Sequence, residues 1–185
     1  IIIDNHKKWI TIPTKKSSLK TNINSKLIDF SKNWQLKQSK TIIQAYSKHS
    51  YIKDLEELMN FCNTIKLLNL SDYNIEILKF LSFKLHIKVE FIKSSVFNSK
   101  KERTYRVIEI LEKIKASEYL SPIGAKDYLE QDKFNEITKV KLKFNDFQSM
   151  PYVQKKFKPF LPNLSIIDLI ANLGWTEATR YVNLN

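Results

Sequence analysis

The sequence predicts a mixed α/β fold: a single domain with a small mixed sheet and a helical middle section. Three observations carry this. Short β-forming runs flank a polar turn at residues 1–12, and apolar residues alternate with Lys or Glu at 87–91 and with Lys at 139–144; three stretches between residues 31 and 85 repeat with the 3.6-residue period; and a strand, a capped helix and a second strand follow one another after residue 86. At 185 residues and 43% hydrophobic, the chain is long enough to bury a core and far from the composition of disorder. One domain over residues 1–185 is expected. The chain opens at Ile1 rather than Met, and we expect an N-terminal segment to be missing.

Ile1 to Ile3, a polar turn from Asp4 to Lys7, and Lys8 to Ile12 stopped by Pro13 read as a hairpin, since proline cannot extend the ladder. Thr14 to Asn24 has no apolar period and reads as a surface loop. A first helix is expected over Ser31–Tyr46 and a second over Asp54–Leu68, with Leu55, Leu58, Met59, Cys62 and Ile65 on one face. The single cysteine, Cys62, therefore reads as a packing residue. A third helix, capped at Ser71-Asp72 and running to Leu85, is apolar around most of its circumference and is expected to be largely buried.

Ile87, Val89 and Phe91 alternate with Lys88 and Glu90, as a strand does. Ser99 to Glu102 has the form of a capping box for a helix with Val107, Ile108, Leu111 and Ile114 inward, and Tyr119-Leu120 gives the next strand. Together these make a βαβ unit, which requires parallel pairing and a right-handed crossover. A helical turn follows near Tyr128–Phe134. Val140, Leu142 and Phe144 alternate with Lys139, Lys141 and Lys143, the pattern of a Lys-rich edge strand. Lys155, Lys156 and Lys158 lie in a Pro-punctuated connection. Ser165 then caps a last helix, with Asp168 at the third position of a box-like start and Gly174 placed to end it.

The formal charge of +12 is uneven: residues 1–50 hold ten Lys against two Asp. Such a field attracts nucleic acid, anionic lipid or a phosphate-bearing small molecule, and it also fits lysine drift in a Lys-, Ile- and Asn-rich composition. Glycine occurs only at 124 and 174, so neither a Walker loop nor a dinucleotide-binding Gly-rich turn can be written, and no Gly-x-Ser-x-Gly elbow exists. His6, His49 and His86 have no His or Cys partner at ligand spacing, which disfavours zinc. No metal and no cofactor is named by the sequence. No apolar run is long enough to span a membrane or serve as an export signal, and the chain reads as cytoplasmic.

Three regions remain for chemistry. The loop Ser121–Tyr128 follows a strand, and the C-terminal ends of parallel strands are where ligands gather. Gly124 permits close approach to backbone N–H groups, making Ser121, Lys126, Asp127 and Tyr128 candidate contacts, while Pro122 and Gly124 equally make a plain turn. Asp146, Tyr152 and Gln154 follow the Lys-rich strand, where a loop carboxylate can orient a hydroxyl or deprotonate an amine, or simply form a turn. Asp168 serves the N-terminus of its helix electrostatically, whereas the free N–H groups beside Ser165 also suit phosphate.

Lys8-Trp-Ile-Thr-Ile-Pro13, Tyr119-Leu-Ser-Pro-Ile-Gly-Ala-Lys-Asp-Tyr128 and Leu164-Ser-Ile-Ile-Asp-Leu-Ile-Ala-Asn-Leu-Gly174 together resemble the WbqC-like proteins, a bacterial group associated with assembly of O-antigens and other surface polysaccharides. The resemblance implies a transferase in O-antigen or lipopolysaccharide synthesis that moves an acyl or aminoacyl group to an amino sugar. Its partners would be a nucleotide- or lipid-linked sugar and an acyl donor. Asp127 or Asp146 would then take the proton of the acceptor amine, and donors near Gly124 and Ser165 would steady phosphate or a developing oxyanion in one shared cleft. Two other classes stand beside it: a basic nucleic-acid-binding module using residues 7–48, and a non-catalytic scaffold of a glycan-assembly complex.

Overall fold

The computed structural model describes residues 1–155 and 158–184, Leu184 by its backbone alone; the expectation at Lys156 lies outside them. The architecture is mixed α/β, as expected, with seven helices and two two-stranded sheets among the described residues. The chain divides into two compact units, Ile1–Val89 with Ser149–Asn185 and Glu90–Gln148. Among the described residues no helix is long and apolar enough to cross a membrane.

In the first unit the hairpin is tighter than expected. Asp4 and Asn5 both take positive φ, 50° and 60°, so the turn closes over two residues that tolerate the left-handed region. That sets β1 (Ile2–Ile3) against β2 (His6–Lys7), with Ile2 opposite Lys7. Trp9 to Ile12 consequently lies beyond the ladder rather than in it.

Three helices follow. α1 (Trp34–Tyr46) starts three residues later than Ser31, because Asp29 accepts the Ser31 N–H at 3.0 Å and closes a 3₁₀ turn first. α2 (Ile52–Thr64) stops short of Leu68, because the chain beyond it pairs with residues 26–28: Ile28 N–H donates to Leu68 C=O at 2.7 Å, and Leu27 bridges Asn69. α3 (Leu70–Lys84) is capped by Asn69 rather than Ser71-Asp72, its Oδ1 accepting from the N–H groups of both residues. The expected burial of α3 fails: Tyr73 is buried, but Leu78 and Phe83 are exposed. The core of this unit is made instead by Ile42 and Tyr46 of α1, Leu55, Leu58 and Met59 of α2, and Ile170 and Ala171 of the last helix, and α3 adds only partly buried side chains such as Phe80 and Leu81.

The last helical stretch of the unit is Ile166–Leu184, and Gly174 ends its first run as expected. Gly174 sits at φ 69°, ψ 176°, so one helical run stops and another resumes. The resumed run begins with orphan N–H groups, and that of Trp175 is taken by Asp54 Oδ2 of α2 at 2.8 Å. The Trp175 indole donates to Glu57 Oε2 at 2.8 Å, and Lys84 bridges the same carboxylate at 2.8 Å. The Lys84 hydrogen bond holds the Glu57 carboxyl below its ordinary pKa.

In the second unit, numbering in chain order, α4 is Arg103–Lys113, β3 is Glu118–Pro122, α5 is Lys126–Gln131, α6 is Phe134–Ile137 and β4 is Lys141–Asn145; the helix of the first unit at Ile166–Leu184 is then α7. No strand forms at Ile87–Phe91, which runs between the units with Val89 and Phe91 exposed; period two without a partner strand makes no ladder. The parallel pair is therefore displaced by one element. β3 pairs with β4, from Glu118 opposite Lys141 to Pro122 opposite Asn145, and α5 and α6 supply the crossover. Ile108, Leu111, Leu129, Phe134 and Val140 are packed beneath the pair. The lysine row is at a sheet edge as expected, and Glu118 draws in Lys143 at 2.7 Å. The expected capping box is absent. Glu102 occupies the N-cap position and makes no side-chain cap, while Ser99 Oγ donates to Glu109 Oε2 at 2.6 Å.

Candidate functional site

The most buried carboxylate on which the sequence focused is Asp168, 1% exposed in the first turn of α7. Its expected helix-capping role is not the one it performs. Ser165 keeps that role, its Oγ accepting from Ile167 N–H at 3.3 Å, while the Asp168 carboxylate faces three donors from elsewhere in the unit. Tyr46 donates to Oδ1 at 2.9 Å; Tyr152 and Gln154 Nε2 donate to Oδ2 at 2.7 and 3.2 Å. Tyr46 Oη also accepts the Ile2 N–H at 3.0 Å, so β1, α1 and α7 are joined through one phenol. Burial first, and then the neighbouring carboxylate, push both phenols above their ordinary pKa and keep them protonated as donors.

Gln154 extends the cluster. It closes on the Leu161 backbone from both sides, Nε2 donating to its C=O at 3.0 Å and Oε1 accepting its N–H at 2.8 Å. Asn172 fixes the same loop by accepting the Lys155 N–H at 2.9 Å. Tyr152 meets Phe160 and Tyr181 edge-on, at 5.1 and 5.6 Å. Of the predicted set, then, Tyr152, Gln154 and Asp168 are brought together and Ser165 lies three residues away. The arrangement positions chain segments, and a carboxylate already accepting three hydrogen bonds has little capacity left for a substrate proton.

A cavity of about 650 Å³ lies in the same unit. Its lining runs from Lys7 to Ile12 through α1, α2 and α3 to the Asn163–Ile167 stretch, so Ser165 is on its wall. The lining is chiefly aliphatic and thioether, with Ile42, Leu58, Met59, Ile77 and Leu81 prominent, and the polar members include Lys7, Lys8, Gln38 and Asn63. Gln35 on the wall is fully engaged: Nε2 donates to the Cys62 and Ile65 carbonyls at 2.9 Å each, the open end of α2, and Oε1 accepts from Lys66 at 3.0 Å. Trp34 differs. Its buried indole N–H has no partner among the described residues, a cost on the order of 1–3 kcal/mol.

Cys62 is on this wall, and burial raises its thiol to about 11; burial likewise raises Tyr73 to about 12. The thiol is protonated at neutral pH, which agrees with packing as its role. At pH 8 its alkylation rate should be about two orders of magnitude below that of a free cysteine, with a pH–rate midpoint near 11 rather than ~8.5. Iodoacetamide labelling followed by mass spectrometry measures this. Ionisation also has a stability consequence: the folded pKa is raised, so this contribution is whole below the unfolded value and is lost as pH climbs toward 11.

The remaining predicted residues belong to the second unit. β3 and β4 run in register to Pro122 and Asn145, so the Gly124 turn and Asp146 leave the same, C-terminal rim of the pair. Gly124 sits in a 3₁₀ turn without positive φ, and nothing would obstruct a Cβ there. Ser121 is fully buried, and Tyr128 packs partly buried against the core under the Arg103 guanidinium at 5.7 Å. Lys126 approaches Glu130 at 3.8 Å, Asp127 is in the first turn of α5, and Asp146 accepts from Gln148 at 3.3 Å. Gly124 and Ser165, expected to share one cleft, belong to different units.

Sequence reasoning took Trp34 and Tyr46 only as apolar residues of the first helix and did not single out Gln35. The signal available was a Tyr and a Gln on the face of a helix otherwise directed at the core.

The family model of the WbqC-like protein family matches residues 1–180. The chain belongs to this family. Over 177 residues this WbqC-like chain is 24% identical to an uncharacterized protein of Mycobacterium tuberculosis, a match covering 95% of the chain and 75% of that relative. No solved structure matches it.

Proposed function

We propose that the chain is a transferase that holds an acyl or aminoacyl donor in the cavity of its first unit and passes the group to an amino sugar during O-antigen or other surface-polysaccharide assembly. The cavity carries this reading. An aliphatic and thioether interior suits the carbon chain of a donor, and the exposed Lys7 and Lys8 suit a phosphate or other anionic group attached to it. The sugar half of the proposal comes from the resemblance of the three sequence phrases to proteins of polysaccharide-forming bacteria. In the reaction the acceptor amine attacks the acyl carbonyl, a C–N bond forms, the bond to the leaving group breaks, and the amine's proton goes to a base or to the departing group. Asp127 and Asp146, expected as that base, belong to the second unit, whereas the cavity belongs to the first. The test in cells is the mass of the glycan repeat unit with and without the intact gene. Loss of one acyl or aminoacyl mass is expected, and identical repeat units overturn the proposal.

A further inference from the structure

Residues 5–28 contain six lysines and no acidic residue. Within them the chain makes a projecting loop. Thr14 bridges Ile28, Lys15 N–H donates to Leu27 C=O at 2.9 Å and Asp29 N–H to Pro13 C=O at 2.9 Å, so residues 13–15 and 27–29 form a clamped stem. Ser18 C=O accepts the Thr21 N–H at 3.0 Å, a turn at the tip, and Lys26 Nζ reaches back to Ser18 C=O at 3.1 Å. At the tip Leu19 is fully exposed and Ile23 is 66% exposed, between Lys15, Lys16, Lys20 and Lys26. Upstream of the stem, Trp9 is 93% exposed.

We propose that this loop docks the protein on an anionic lipid bilayer, Leu19 and Ile23 entering the acyl boundary while the flanking lysines face phosphate headgroups. Two properties select this occupant. Uninterrupted positive charge suits the surface of an anionic membrane, where each lysine strengthens attachment. Branched aliphatic side chains offered to water at a clamped tip suit hydrocarbon, and they cannot stack on bases as a nucleic-acid surface requires. A lysine-only surface would serve RNA equally well; the exposed Leu and Ile are what separate the two. Lys7, Lys8 and Trp9 line the cavity, but the docking residues Lys15, Lys16, Leu19, Lys20, Ile23 and Lys26 do not, so the loop can be tested apart from the proposed chemistry.

The experiment is co-sedimentation of the whole chain with phosphatidylcholine vesicles, with and without about one third phosphatidylglycerol. Retention is expected only on the anionic vesicles and should weaken as salt rises. The double variant Leu19→Ser, Ile23→Ser should lose about tenfold or more in affinity, and Lys16→Gln or Lys20→Gln about fivefold each. All these side chains are on the exposed loop, so unchanged melting temperatures show that the fold is intact. Equal retention of the double variant and the wild type, or capture of single-stranded RNA with no retention on anionic vesicles, overturns the proposal.

Discussion

Asp168→Ala should destabilise the first unit by about 3–5 kcal/mol, a fall of about 10 °C in melting temperature for a chain of this size. The substitution removes one buried acceptor and leaves two phenols and a carboxamide facing its place. Each unpaired buried donor costs on the order of 1–3 kcal/mol, and two segments lose their anchor together: β1 through Tyr46, and the loop ending at Leu161 through Gln154. Asp168→Asn keeps the shape and one acceptor oxygen, and should recover about half of the loss. Circular-dichroism melts of the two variants measure this. A melting temperature for the alanine variant within a degree or so of the wild type would mean that the cluster does not hold these segments.

Gly174→Ala should cost about 2–4 kcal/mol through a different mechanism. At φ 69°, ψ 176° the backbone occupies a region essentially confined to glycine, and any Cβ would overlap Tyr51 Cδ1 and come within 2.8 Å of Asp54 Oδ2. Tyr51 is partly exposed and its ring can swing aside; Asp54 cannot without releasing the Trp175 N–H. The same change at Gly124, where nothing crowds the Cβ and φ is not positive, should leave the melting temperature within about 2 °C of the wild type. The pair of melts therefore separates a glycine required by its backbone from one that is not.

Helices were legible where one apolar stripe met one core. α2 shows this best, with Leu55, Leu58 and Met59 buried as their spacing required. Helix ends were less legible where they depend on partners distant in sequence: α2 stops where its continuation pairs with residues 26–28, and the run that resumes after Gly174 starts on a cap from Asp54 of another helix. The strand expected at Ile87–Phe91 shows the limit of alternation, which prepares one face but supplies no neighbour. The site was legible in part. Tyr152 and Gln154 were marked by their place after the Lys-rich strand and Asp168 by its helix start, yet Asp168 looked like a helix cap because its nearest donors in sequence are the N–H groups of its own helix. Its actual donor Tyr46 is 122 residues away. The cavity could not be read at all, since its walls come from five separate stretches, each of which looks like ordinary core from its own spacing.

The most direct test of the account is transfer by the purified chain, with a panel of acyl and aminoacyl thioesters and phosphate esters offered together with nucleotide-linked amino sugars, and the sugar's mass read by mass spectrometry. Beside it runs Ile77→Trp, which adds bulk to the cavity wall from a partly buried position on α3. The wild type should add one acyl or aminoacyl mass to the amino sugar, and the variant, with its melting temperature retained, should do so at least about tenfold more slowly with its loss in KM for the donor. No mass gain with any donor, or equal rates for the two proteins, would contradict the placing of the donor in this cavity.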